Sequence, residues 1–229
     1  MVMVADFKEI KKEDILIAGG KGANLGEMTR LDINVPPGFI ITAKAYREFL
    51  RVNGIEDIIN NRLYKTENDE NALLNAADDF RKRINSGIFP DALKELIREK
   101  YLSLGENKKV AIRSSATAED LKDASFAGQQ DSYLNIQGME EILKHIRNCY
   151  ASLWTKRAVS YRYHQGYDQN RVSIAVVVQE MVESEKSGVL FTADPINNNK
   201  NNILINAAFG LGESVVSGRL SADTYTVDK

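Results

Sequence analysis

The sequence has one cysteine in 229 residues, Cys149, so it can form neither an internal disulfide nor a cysteine-based metal cluster, which fits a reducing cytoplasm. Histidine is nearly as scarce. His145 and His164 fall in or at the end of one helical pattern, with no metal-type spacing and no partnered carboxylate, and both read as structural. Neither G-x-S-x-G nor H-E-x-x-H occurs, which leaves hydrolase chemistry without a candidate. No apolar stretch approaches the roughly 20 residues that span a bilayer. The opening "MVMVADFKEI" is too charged and too short for a signal peptide. A surplus of one charge is also missing. The 30 basic and 32 acidic residues are interspersed, net −2, so no basic stripe offers itself to nucleic acid or to an anionic membrane.

What is present can bury a substantial core: 43% of the residues are hydrophobic, enough for one large domain or two lobes. Apolar residues recur at three- and four-residue spacing in 43–52, 70–84 and 91–104, predicting helices. Polar "GENKK" at 105–109 separates these from a second half rich in short β-branched runs: "VAI", "VSIAVVVQEMV", "SGVLFTA", "NILINAA" and "DTYTV". One long helical segment, about 139–163, interrupts the runs; its Tyr150, Trp154, Tyr161 and Tyr163 read as core. The asparagine-rich 197–202 predicts a hairpin loop. The expected architecture is α+β, with a helical lobe over 1–106 and an α+β lobe with mainly antiparallel sheet over 107–229.

The stretch "DILIAGGKGANLGEM", residues 14–28, runs three apolar residues into Gly19, Gly20, Lys21, Gly22 and Gly26, predicting a strand, a glycine-rich turn and a helix. Such geometry suits phosphate, because glycines let the backbone approach an anion and a helix N-terminus offers N–H groups. A P-loop would need a hydroxyl after the lysine, and Gly22 stands there. A dinucleotide fold would need a second strand ending in an acidic residue about 20 residues on. Instead, Pro36 and Pro37 interrupt and Thr42 is expected to cap a new helix. A lysine on a glycine-rich turn serving a different nucleotide fold is the third reading.

Three further segments carry possible chemistry. In "VAIRSSATAED" Arg113 emerges from a short apolar run beside Ser114, Ser115 and Thr117, a grouping able to bind phosphate; the bland alternative is a loop arginine paired with Glu119 or Asp120. The run 175–178 leads into Gln179, Glu180, Met181 and Val182, where a strand ending beside a cleft can offer backbone groups and an apolar shelf to a base. In "AAFGLGESVVSG", Gly210, Gly212 and Gly218 surround Glu213, either a glycine-rich loop that places a carboxylate near Mg²⁺ or ribose, or an ordinary turn.

Taken in order and spacing, "GGKGANLGEMTRLDINVPPGFIITAKAYREFL", "VAIRSSATAEDLKDASFAGQQDSYLN" and "GVLFTADP" followed by "AAFGLGESVVSGRLSADTYTVDK" resemble the N-terminal nucleotide-binding domain of the phosphoenolpyruvate synthase and pyruvate phosphate dikinase family, almost end to end. The resemblance implies the N-terminal portion of a two-lobed ATP-grasp fold that binds ATP with Mg²⁺. It implies that Lys21 and Arg113 contact the phosphates and act in transfer, and that Gly128 passes close to them. Ser132 stands where relatives often carry threonine. Gln179, Glu180, Met181 and Val182 fall at the adenine connection and Glu213 in the "GLGE" loop. In this family a phosphoryl group moves from ATP to a histidine on a swivelling domain and then to an acceptor held by another domain. Pyruvate is the acceptor in the synthase, and rifampicin in the related phosphotransferase. The histidine's "TSH"-type motif does not occur in 1–229, and the acidic metal ligands are expected further along, so the chain alone is expected to be inactive in transfer, with a non-catalytic nucleotide-binding module as the other alternative.

Overall fold

The run Ile174–Glu180 is apolar for five consecutive residues, as a strand buried on both faces should be. In the computed structural model, which describes residues 2–66, 69–117, 132–197, 199–218 and 220–229, it is the middle strand of a sheet. The chain divides into two compact units, Met1–Met181 and Val182–Lys229.

The first unit is built on β1 (Val4–Asp6), β2 (Gly38–Ile41), β3 (Val110–Ala116), β4 (Ser132–Ile136) and β5 (Ile174–Glu180). Their order is β1-β2-β5-β3-β4, every neighbouring pair antiparallel. Successive side chains of a strand face opposite ways. Phe39, Ile41, Val110, Ile112, Val176 and Val178 join the larger core with helices α2 (Ala43–Val52), α3 (Ile55–Thr66), α4 (Glu70–Ser86), α5 (Asp91–Leu104) and α6 (Met139–Ser152). Ile40, Ala175 and Val177 face the other way and pack with Ala18 of helix α1 (Ile15–Arg30), Phe7 and Ile10.

Helices 43–52, 70–84 and 91–104 form as the periodicity predicts. Four expectations change. The boundary at 106/107 is not where the units part, because β3 pairs with β5 and β5 with β2, and the helices preceding 106 share one core with the strands following it. The predicted strand at 15–17 is the first turn of α1, in which the Ile17 and Ala18 N–H groups both bond the Asp14 carbonyl at 2.9 Å. Three apolar residues cannot by themselves separate strand from helix. The long helix expected over 139–163 is two, α6 and α7 (Lys156–His164), with the Thr155 hydroxyl accepting from the Ala158 N–H to start the second. Trp154 sits buried in the break, its indole N–H donating to the Tyr46 hydroxyl at 2.9 Å. Thr42 does precede α2, yet its hydroxyl bonds the Val2 and Met3 carbonyls and ties down the approach to β1 rather than capping the helix.

The second unit is an antiparallel sheet of β6 (Lys186–Phe191), β7 (Asn202–Phe209) and β8 (Asp223–Asp228) with the short helix α8 (Gly212–Val216). The asparagine-rich loop joins β6 to β7 as expected. Its turn is organised by Asp194, whose carboxylate accepts from the Asn197 side chain and from the Ile196 and Asn197 N–H groups. These bonds, the Asn197 side chain first, hold that carboxyl below its ordinary pKa. Leu204 is the one buried apolar residue among the unit's described residues.

Two glycines of similar positive φ test how tightly the first unit is packed. Gly19 interrupts α1 at φ +67, and an added Cβ would lie 2.2 Å from the Ser115 carbonyl oxygen; Gly54, at φ +65, has no atom within 4 Å. Left-handed backbone costs an ordinary residue about 1–2 kcal/mol. Gly54→Ala should lose no more than that, and Gly19→Ala clearly more. Urea unfolding of both variants checks the order, and equal losses would contradict the packing argument.

Candidate functional site

The glycine-rich stretch is not a turn after a strand but a break inside a helix. Gly19 takes an extended, positive-φ conformation, so α1 restarts at Gly20 and Lys21 falls in the first turn of the new segment, half-buried. A helix start normally has a side chain at the N-cap to accept from the third N–H group. Glycine has none, and the acceptor arrives from elsewhere: the Ser115 hydroxyl of β3 accepts from the Gly22 N–H at 3.2 Å and donates to the Ala18 carbonyl at 2.8 Å. Close approach is possible because position 19 lacks a Cβ and position 22 packs directly on Ile40.

Ser115 faces α1, so strand alternation turns Arg113, two residues earlier, to the same side of the sheet. The register sets Arg113 opposite Val177 of β5 and opposite Ser132 of β4, and Ala111 opposite Gln179. Directly paired residues share a face, so Arg113, Ser132 and Gln179 stand together on the side that α1 covers. Arg113 and Gln179 are diagonal neighbours, a relation that spans roughly 7–8 Å in antiparallel sheet. Arg113 is half-buried, and burial lowers its pKa. No carboxylate among the described residues forms an ion pair with it. Glu119 and Asp120, its alternative partners in sequence, lie outside the described residues, as does Gly128.

Other expected residues are differently engaged. The Ser115 and Thr117 hydroxyls, read as part of a phosphate shell, are buried and bonded to protein, Thr117 to the Ser173 carbonyl at 3.0 Å. Gln179 is 5% exposed and its amide nitrogen donates to the Pro36 carbonyl. The Glu180 and Met181 N–H groups bond the Pro37 and Lys109 carbonyls, and the Glu180 carboxylate pairs with Lys108 at 2.6 Å. Val182 is exposed at the start of the second unit, and so is Glu213 in the first turn of α8. Among the described residues no group of three or more histidine, cysteine, aspartate or glutamate side chains is arranged to hold a metal ion. A groove of about 780 Å³ between α3, α7 and the 166–170 loop contains none of these residues. The role missed in the sequence is that of Ser115; an N-cap position filled by glycine was the available signal that the cap must come from another strand.

The model of the pyruvate phosphate dikinase AMP/ATP-binding domain matches residues 15–229. The chain belongs to this family. It is 49% identical over its whole length to a probable phosphoenolpyruvate synthase of Methanocaldococcus jannaschii, of which it covers 20%. With a probable phosphoenolpyruvate synthase of Methanothermobacter thermautotrophicus it shares 48% identity over 99% of the chain and 34% of that protein. With the rifampicin phosphotransferase of Bacillus cereus it shares 46% identity over 98% of the chain and 26% of that protein. The chain thus spans a fifth to a third of the length of these relatives. No helix among the described residues is long and apolar enough to cross a membrane.

A desolvated guanidinium with no carboxylate partner among the described residues should gain from an anion. Tripolyphosphate is expected to raise the melting temperature of the wild-type chain, by an amount equivalent to about 2.7 kcal/mol at a hundred times its Kd. Arg113→Met should lose most of this shift. Thermal denaturation with and without the anion measures it, and equal shifts in the two proteins would exclude Arg113 from the anion site.

Proposed function

We propose that this chain is the ATP-binding part of a phosphoenolpyruvate synthase-like dikinase, with an ATP-grasp fold of which these residues form the N-terminal portion. The observation that carries the reading is the grouping of Arg113, Ser132 and Gln179 on the sheet face covered by the helix that bears Lys21. Lys21 and Arg113 take the phosphates of ATP, and the hydroxyl of Ser132, directly across from Arg113, supplies a neutral donor. The segment 179–182 takes the base: Val182 and the carbonyls beside it offer hydrogen bonds, while Gln179 keeps its oxygen available after bonding Pro36. Two cations on pre-positioned backbone stabilise charge on a transferring phosphoryl group, the main demand of this chemistry.

The phosphoryl group goes to a histidine on a swivelling domain and then to pyruvate. Those parts belong to the longer protein that the relatives' lengths support. Rifampicin is a second acceptor reading, favoured by the 46% identity to the Bacillus cereus phosphotransferase. Mg²⁺ accompanies ATP in such chemistry, although among the described residues no cluster of side chains is arranged to hold it. A cytoplasmic setting goes with this reading, since the single cysteine needs no oxidising compartment.

In the full-length enzyme, Lys21→Ala or Arg113→Ala should each cut ATP-dependent histidine phosphorylation by roughly 10²–10³, the loss typical of one transition-state contact. Near-normal turnover in a variant would remove that residue from the site. Gln179→Ala should weaken ATP binding by about 0.5–1.5 kcal/mol, one neutral hydrogen bond, and leave tripolyphosphate binding nearly unchanged. Calorimetry with both ligands decides, and equal weakening would take Gln179 out of the base pocket.

A further inference from the structure

We infer that Ser115 is a positioning residue for Lys21, acting as the N-cap of the helix that carries it although 93 residues separate Ser115 from the Gly22 N–H it accepts. The inference rests on the reading of Lys21 and Arg113 as phosphate contacts. Ser115 is fully buried and its hydroxyl has one donor bond and one acceptor bond, to Ala18 on one side of the break and Gly22 on the other. It therefore fixes both ends of the Gly19 linkage. Lys21 lies between Gly19 and Gly22, so its Cα can move relative to β3 only if one of these bonds breaks. Arg113 sits on the same strand two residues from Ser115. Within the apolar packing that seats α1 on the sheet, the spacing between the two cations is thus tied by hydrogen bonds to one side chain that touches neither phosphate nor base.

Packing confirms that the hydroxyl has no freedom to serve elsewhere. A Cβ at position 19 would lie 2.3 Å from Ser115 Oγ, which leaves the oxygen walled in by α1. A merely structural serine would lower stability when removed and leave ligand affinity alone. A positioning serine lowers affinity through Lys21, and its effect vanishes once Lys21 is gone.

The test is a double-mutant cycle read as MgATP affinity by calorimetry on this 229-residue chain. Lys21→Ala should weaken binding by about 10- to 100-fold, as expected for a charge-assisted contact. Ser115→Ala should weaken it by on the order of tenfold, since the contact is displaced rather than removed. The Ser115→Ala/Lys21→Ala double variant should bind no more weakly than Lys21→Ala, whereas combination with Arg113→Ala should be close to additive. Gly54→Ala, which strains backbone far from the site, should lower the melting temperature and leave affinity unchanged. If Ser115→Ala fails to fold, Ser115→Cys, similar in volume but a weak hydrogen-bonding group, is read in its place. Additivity of Ser115→Ala with Lys21→Ala, or unchanged affinity in Ser115→Ala, would overturn the inference alone. Unchanged affinity in both Lys21→Ala and Arg113→Ala would overturn the site reading, and this inference with it.

Discussion

β5 has to satisfy hydrogen-bonding groups on both edges and bury side chains on both faces, and the first unit is arranged around that demand. Its edges are taken by β2 and β3, which lie 69 residues apart in sequence between Ile41 and Val110, so the helices between them must close over one face. The opposite face receives α1. Residues from three distant parts of the chain, 19–22, 113–115 and 177–179, meet on that face as a result. The candidate site is therefore a product of the sheet's middle strand, whose own polar contribution comes only at its end, from Gln179 and Glu180.

Two arginines in the same unit show what separates a structural cation from a receptive one. Arg162 of α7 is 1% exposed, and burial pulls its pKa down to about 10. Its guanidinium is nonetheless engaged: Nε donates to Gln169, Nη2 to the Leu153 carbonyl, and the group lies over the Trp154 ring. Neutral acceptors and an aromatic face replace water there. Arg113 is also desolvated, but among the described residues no comparable set of acceptors surrounds it. Burial alone therefore does not mark a binding residue, since Arg162 is the more deeply buried of the two and is engaged within the protein.

Periodicity in the sequence carries much of the fold. Helices 43–52, 70–84 and 91–104 announce themselves through apolar spacing, and the five apolar residues of β5 through continuity. Arg113 stands out in the sequence as a cation following an apolar run, but the strand does not end there: β3 continues to Ala116 and holds Arg113 at its centre. What was not legible depended on contacts far apart in sequence. The division at Met181 rather than 106 follows from which strands pair, and strand pairing leaves no mark on local composition. Residues 15–17 are too few for a period to show. Thr42 and Ser115 carry hydroxyls suited to several local roles, and only their distant partners, Val2 and Met3 for one and Ala18 and Gly22 for the other, settle which they perform.

The bridge between Ser115 and Gly22 also orders events in time. It joins residues 93 positions apart, so it cannot form while the chain between them is still searching for its conformation. The glycines of 19–22 keep the early chain supple, and α1 has no cap of its own at the break to hold Lys21 in place. Lys21 reaches its final setting only when β3 docks beside β5. The start of the helix segment that carries Lys21 is thus capped only after β3 has docked, and until then no fixed distance separates Lys21 from Arg113.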